Sequence, residues 1–140
     1  MTDIKAPSNQ QFVNSISEQK TQSKVLVELI VEALLSKKAR DVVVMDVSEL
    51  TTLTEYFVIC NGNSDVQVKA LADAVEDDLL KKATEKPWKK EGITSRSWII
   101  LDYINIVVHV MSQEKREFYG IERMWNDAKI TYIEDEKSSS

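Results

Sequence analysis

His109 and Cys60 are the only histidine and the only cysteine in 140 residues. A Cys–His pair can serve as nucleophile and base when the two touch and a third group orients the ring. Nothing in their spacing predicts that contact. A packed histidine and a cysteine behaving as a small hydrophobe are the plainer reading. Structural zinc takes about four Cys, His or carboxylate ligands, so no metal site is expected. The turn Gly62-Asn63-Ser64-Asp65 precedes an apolar periodic stretch. Backbone amides at such a turn can hold an anion, but a single glycine matches neither a phosphate-binding loop nor a dinucleotide fingerprint. A turn and helix cap is the simpler assignment. Nucleotidyltransferases also open their active site on a Gly-Ser-like turn, and phosphoryl transfer then needs metal-binding carboxylates clustered on a nearby strand. Asp102 has Ile104 two positions on rather than a second acid, and Asp41 and Asp46 belong to a different stretch. The remaining chemistry is aromatic. Trp98, Tyr119 and Trp125 flank Glu114, Lys115, Arg116, Glu117, Glu122 and Arg123, and Trp, Tyr and Arg are enriched in protein-interface hot spots.

The elements that must position these residues can be read from periodicity. Residues 98–103 and 106–111 are two short runs rich in Ile and Val, which suit a pleated surface. Side chains alternate across a strand. Trp98, Ile100 and Asp102 therefore share one face, and Val107, His109 and Met111 share a face of the next strand. Neither face is cleanly polar, so these strands are either covered on both sides or leave a face for a partner. Upstream, Leu26, Leu29, Ile30, Ala33 and Leu34 predict a helix over 19–38. Strands are expected at 41–47 and 56–60, joined by a Thr-rich loop. Ser64 or Asn63 should cap a helix over 65–83, with Val68, Leu71, Ala72, Val75 and Leu79 as its apolar stripe. The connection 84–96 is punctuated by Pro87 and Gly92, and Trp88 could begin a short extra strand. Helical turns follow at 114–119 and 121–128. The sum is a single compact α/β domain with a mixed sheet of about four to five strands and flanking helices. Residues 1–18 are expected to be a flexible extension and 130–140 a loose, acidic, Ser-ending tail.

Hydrophobic content of 43% and charged content of 29% are ordinary for a globular domain. No apolar run approaches the roughly 20 residues that span a bilayer, and the start of the chain resembles neither a signal nor a transit peptide. A cytoplasmic protein is expected. The net charge of −5 argues against binding that rests mainly on phosphates and favours a basic protein as partner.

Over about 22–128 the chain resembles the ribosomal silencing factor family, also called Iojap or RsfS. The resemblance is carried by DVVVMDV at 41–47, YFVICNGNSDVQVKALAD at 56–73, KKEG at 89–92, and WIILDY, VVHVM and REFYGIERMWNDA within 98–128. It implies a nucleotidyltransferase-like α/β fold without catalysis, in line with the dispersed carboxylates, and no cofactor. It further implies binding to the large ribosomal subunit through ribosomal protein uL-fourteen, at the face that meets the small subunit. Such binding blocks subunit joining and represses translation under nutrient limitation. A large-subunit maturation role is the alternative, and a nucleotidyltransferase-like enzyme the more distant one. By motif position the partner-binding residues would be Glu91, Trp98, Asp102, His109, Tyr119 and Glu122. Trp98 and Tyr119 would then supply apolar anchor area, and the three acids would meet Lys or Arg of the partner. Arg116 would hold the local acidic network together. Family members can also form homodimers. The family's strand break usually carries Gly followed by Asp, where this chain has Ile104-Asn105.

Overall fold

The computed structural model describes residues 9–133; residues 1–8 and 134–140, the outer parts of the expected extension and tail, lie outside the described residues. In chain order the elements are α1 (Asn9–Ser36), β1 (Arg40–Asp46), β2 (Tyr56–Gly62), α2 (Asp65–Ala83), β3 (Lys89–Glu91), β4 (Trp98–Asp102), β5 (Ile106–Ser112), α3 (Gln113–Tyr119), α4 (Ile121–Met124) and β6 (Lys129–Tyr132). The six strands form one sheet in the order β3-β4-β5-β2-β1-β6. Only β2 and β5 run parallel; the other neighbouring pairs are antiparallel.

Local chemistry accounts for the element ends. α1 stops where Lys38 turns into the left-handed region at φ 63°. The Lys38 amide bonds the Leu35 carbonyl and the Ala39 amide the Leu34 carbonyl. This pair of bonds is a Schellman closure. Ser64 caps α2, its hydroxyl accepting the Gln67 amide at 3.1 Å. The Gln67 side chain accepts the Asn63 amide at 2.6 Å and donates to the Lys37 and Lys38 carbonyls. One side chain thus ties the end of α1 to the start of α2.

Two expectations change. The first helix begins at Asn9 rather than Gln19. The tail holds a strand: β6 pairs with β1 from Val43↔Tyr132 to Asp46↔Lys129, giving six strands rather than four or five. Alternation over four residues is too short a signal to announce an edge strand, and β1 supplies the ladder that stabilises it.

The strands are apolar on both faces because two cores lie against the sheet. On one face Val58, Cys60, Ile99, Leu101, Val108 and Val110 pack against Ile30, Ala33 and Leu34 of α1 and Val68, Leu71, Val75 and Leu79 of α2. On the other, Val43, Met45, Ile59 and Met111 meet Ile121, with Phe57, Trp98, Trp125, Ala128 and Ile130 around them. The second cover is small. It lies over the β2 and β1 region and leaves the β3-β4 flank more open.

The β4–β5 connection contains Ile104 at φ 75°. The Asn105 amide bonds the Tyr103 carbonyl at 3.0 Å, closing a three-residue γ-turn. Asp102 Oδ1 accepts the Ile104 amide at 2.7 Å. A β-branched residue in this region is strained, and the turn is held by Asp102 from below and by the Asn105 carbonyl, which accepts the Glu55 and Tyr56 amides.

Candidate functional site

The open flank of the second face collects most of the residues singled out from the sequence. β4 presents Trp98, Ile100 and Asp102, each half-buried. Their cross-strand partners on β5 are Met111, His109 and Val107. On the outer side Glu91 faces Ile100 and Lys89 faces Asp102. Glu91 accepts Lys89 at 3.0 Å, and that bond raises the Lys89 pKa.

Trp98 is the centre of an aromatic cluster. Its indole lies 4.7 Å from the Tyr119 ring and 5.9 Å from the His109 ring, centroid to centroid. The indole Nε1–H donates to His109 Nδ1 at 3.1 Å. Phe57 sets its ring nearly perpendicular to His109 at 5.4 Å and to Trp125 at 5.2 Å. Tyr119 continues outward to Phe118 at 5.0 Å, and the Lys115 ammonium stands 5.8 Å from the Tyr119 ring. The surface therefore grades from a buried histidine, through a half-buried tryptophan, to exposed Tyr119 and Phe118. Burial pushes the His109 pKa down to about 4, against an opposing pull from Glu122. The ring is neutral near pH 7, its Nδ1 is an acceptor, and its proton sits on Nε2.

His109 and Glu122 occupy different positions from those expected of surface contacts. His109 is 8% exposed and lies beneath Trp98. Glu122 is turned toward Arg116, whose Nε and Nη2 both bond its Oε1 at 2.7 and 2.5 Å. Arg116 Nη1 reaches the Asp41 carbonyl at 2.6 Å and Asn61 Oδ1 at 3.1 Å, and Asn61 holds Asp41 at 3.4 Å. This is the network-holding position expected of Arg116. A cleft of about 440 Å³, with Tyr132 and Arg123 on its walls, opens above the network.

The chemistry considered first is separated by the sheet. Cys60 packs with the α1–α2 core while His109 neighbours Ile59 on the opposite face. The two cannot form a nucleophile–base pair. Burial also pushes the Cys60 thiol up to about 12, which suppresses the thiolate. Asp102 lies on β4, with β5 and β2 between it and the β1 acids Asp41 and Asp46. Among the described residues no group of three His, Cys, Asp or Glu is placed to hold a metal ion.

A family model described as "Ribosomal silencing factor during starvation" matches residues 19–140. The chain belongs to the ribosomal silencing factor family. It is 31% identical over 111 residues to the Bacillus subtilis ribosomal silencing factor RsfS, covering 79% of this chain and 93% of that protein. A mouse protein named mitochondrial assembly of ribosomal large subunit protein 1 is 32% identical over 101 residues, which are 71% of this chain and 44% of the mouse protein. The crystal structure of a Chromobacterium violaceum protein superposes with a TM-score of 0.71 at 34% identity, covering 82% of this chain and 95% of that one. These relatives carry the names of regulatory and assembly factors rather than of enzymes.

Within this family member, the sequence reading did not single out Phe118 or Phe57. Phe118 is 76% exposed, with its ring against that of Tyr119. Its position next to Tyr119 was the available signal. Phe57 looked like an ordinary strand residue, and only strand pairing brings it to His109.

Proposed function

We propose that this chain is a non-enzymatic repressor of translation that docks on the large ribosomal subunit through ribosomal protein uL-fourteen. Seated there, a domain of this size occupies space that the small subunit needs, so joining is hindered sterically. The repression would operate in the cytoplasm under nutrient limitation. Family membership supports the general role. The observation that carries the docking reading is the position of Trp98: half-buried, backed by His109, flanked by exposed Tyr119, on the less covered flank of the sheet. A preorganised aromatic anchor with a polar rim is the pattern of an interface hot spot. Glu91 and Asp102 supply negative charge to that rim, which complements a basic ribosomal protein. Glu122 contributes by holding Arg116, and His109 by supporting Trp98. A homodimer that buried Trp98 would compete with this docking.

The name of the mouse relative favours a second reading, a role in large-subunit assembly. Sedimentation of purified subunits at fixed magnesium separates the two. Co-migration with large subunits together with loss of joined ribosomes is the expected result. Co-migration with normal joining would favour the assembly role. No binding to either subunit would refute the docking reading. Trp98→Ala and Tyr119→Ala should both weaken co-migration, and the exposed Tyr119 separates loss of contact from loss of folding.

A further inference from the structure

The only histidine of the chain sits inside the docking face without being on its surface. Trp98 and His109 are not directly opposite. Trp98 pairs with Met111, and His109 lies two residues before it on β5, opposite Ile100. They are diagonal neighbours on one face, a separation that long and aromatic side chains bridge. The bridge is a hydrogen bond of 3.1 Å from the indole Nε1–H to Nδ1. His109 is in turn fixed by the edge contact of Phe57 at 5.4 Å. With 8% of its surface exposed it offers a partner almost no area of its own.

We infer that His109 is a positioning residue: its Nδ1 accepts the Trp98 indole N–H and holds that ring in the orientation that a protein partner meets. The inference rests on the reading of Trp98 as a docking anchor, but the hydrogen bond can be tested without any ribosome. A tryptophan left free to rotate must be ordered when the complex forms, and that ordering lowers affinity. A ring already held by an acceptor below and by Tyr119 at 4.7 Å avoids much of this cost. The requirement is specific. A phenylalanine at 109 would keep the ring shape but remove the acceptor, whereas glutamine would keep an acceptor in a comparable volume. Phenylalanine at 98 would remove the donor and leave His109 intact.

The test uses the full chain, with folding of each variant checked by circular dichroism. The first readout is the ¹H–¹⁵N resonance of the Trp98 indole, assigned by its disappearance in Trp98→Phe. In the wild type it should exchange slowly with solvent; in His109→Phe it should shift and exchange quickly; in His109→Gln it should stay close to the wild type. The second readout is affinity for purified large subunits. His109→Phe should bind about fivefold more weakly, the size expected for one neutral hydrogen bond, and Trp98→Phe at least as much, since it also loses indole contact area. His109→Gln should bind nearly as the wild type does. Combining His109→Phe with Trp98→Phe should add little to Trp98→Phe alone, since both remove the same bond. An unchanged indole resonance in His109→Phe would overturn the inference. So would full additivity in the double variant, which would mean that His109 acts independently of Trp98. If the wild type fails to bind large subunits, the docking reading falls while the indole measurement still decides the hydrogen bond.

Discussion

Acidification should destabilise this domain through His109, in a window set by that residue. The ring titrates near its ordinary value of 6.5 when unfolded, and burial lowers this to about 4 in the fold. Between these values the unfolded chain binds a proton that the folded chain refuses, so acid favours unfolding. The contribution is complete above pH 6.5 and is lost as pH falls toward 4. At about 1.4 kcal/mol per pH unit, the loss between pH 7.5 and pH 4.5 comes to about 2–3 kcal/mol. That is a large share of the roughly 5–15 kcal/mol that holds a domain together. Urea unfolding of the wild type and His109→Gln at both pH values isolates this contribution, because other titrating groups are common to both chains. The wild type should lose about 2–3 kcal/mol more than the variant across that interval. Parallel pH dependences would refute the reasoning and mean that the ring accepts a proton in the fold as easily as in water.

Three further outcomes follow from the structure. Arg116→Met should cost about 2 kcal/mol in urea unfolding, because it strands Glu122 and removes bonds to the Asp41 carbonyl and Asn61; partial exposure, 11% for Arg116 and 26% for Glu122, keeps it below the cost of breaking a fully buried pair. A change under about 0.5 kcal/mol would show that water replaces the network. Cys60 should resist thiol reagents at pH 8 in the folded protein and react promptly in denaturant, because its thiol is pushed up to about 12 and is wholly buried; comparable rates would show that β2 opens readily. Ile104→Gly should raise stability by about 0.5–1 kcal/mol, since relief of strain at φ 75° outweighs the added freedom of glycine in the unfolded chain. A lower thermal midpoint in that variant would show that Ile104, 57% exposed, contributes more by packing than it costs in strain.

The strand break shows how far local rules reach. The sequence indicates that Ile resists a left-handed turn, yet the turn forms around Ile104. Asp102 supplies an acceptor two residues back, and the Asn105 carbonyl is engaged by Glu55 and Tyr56 from another part of the chain. The local preference is overridden by bonds that only the assembled fold provides.

By itself the sequence determined the Ser64 cap of α2, the apolar stripes and the alternation of β4 and β5. These depend on residues within a few positions of one another, where period and capping chemistry act directly. It also carried the motif at 98–128 that marks the family, and it placed Trp98, Ile100 and Asp102 on one face. Alternation assigns residues to faces but does not say which face is covered. The tertiary structure decided that α1 and α2 take one face while Ile121 and Trp125 cover only part of the other. It decided that His109 is buried under Trp98, that Cys60 is on the far side of the sheet, and that Glu122 turns inward to an arginine that also reaches Asp41, 75 positions away. Each of these depends on which strands become neighbours, and strand order is set by the burial of the whole chain rather than by the residues at any one site.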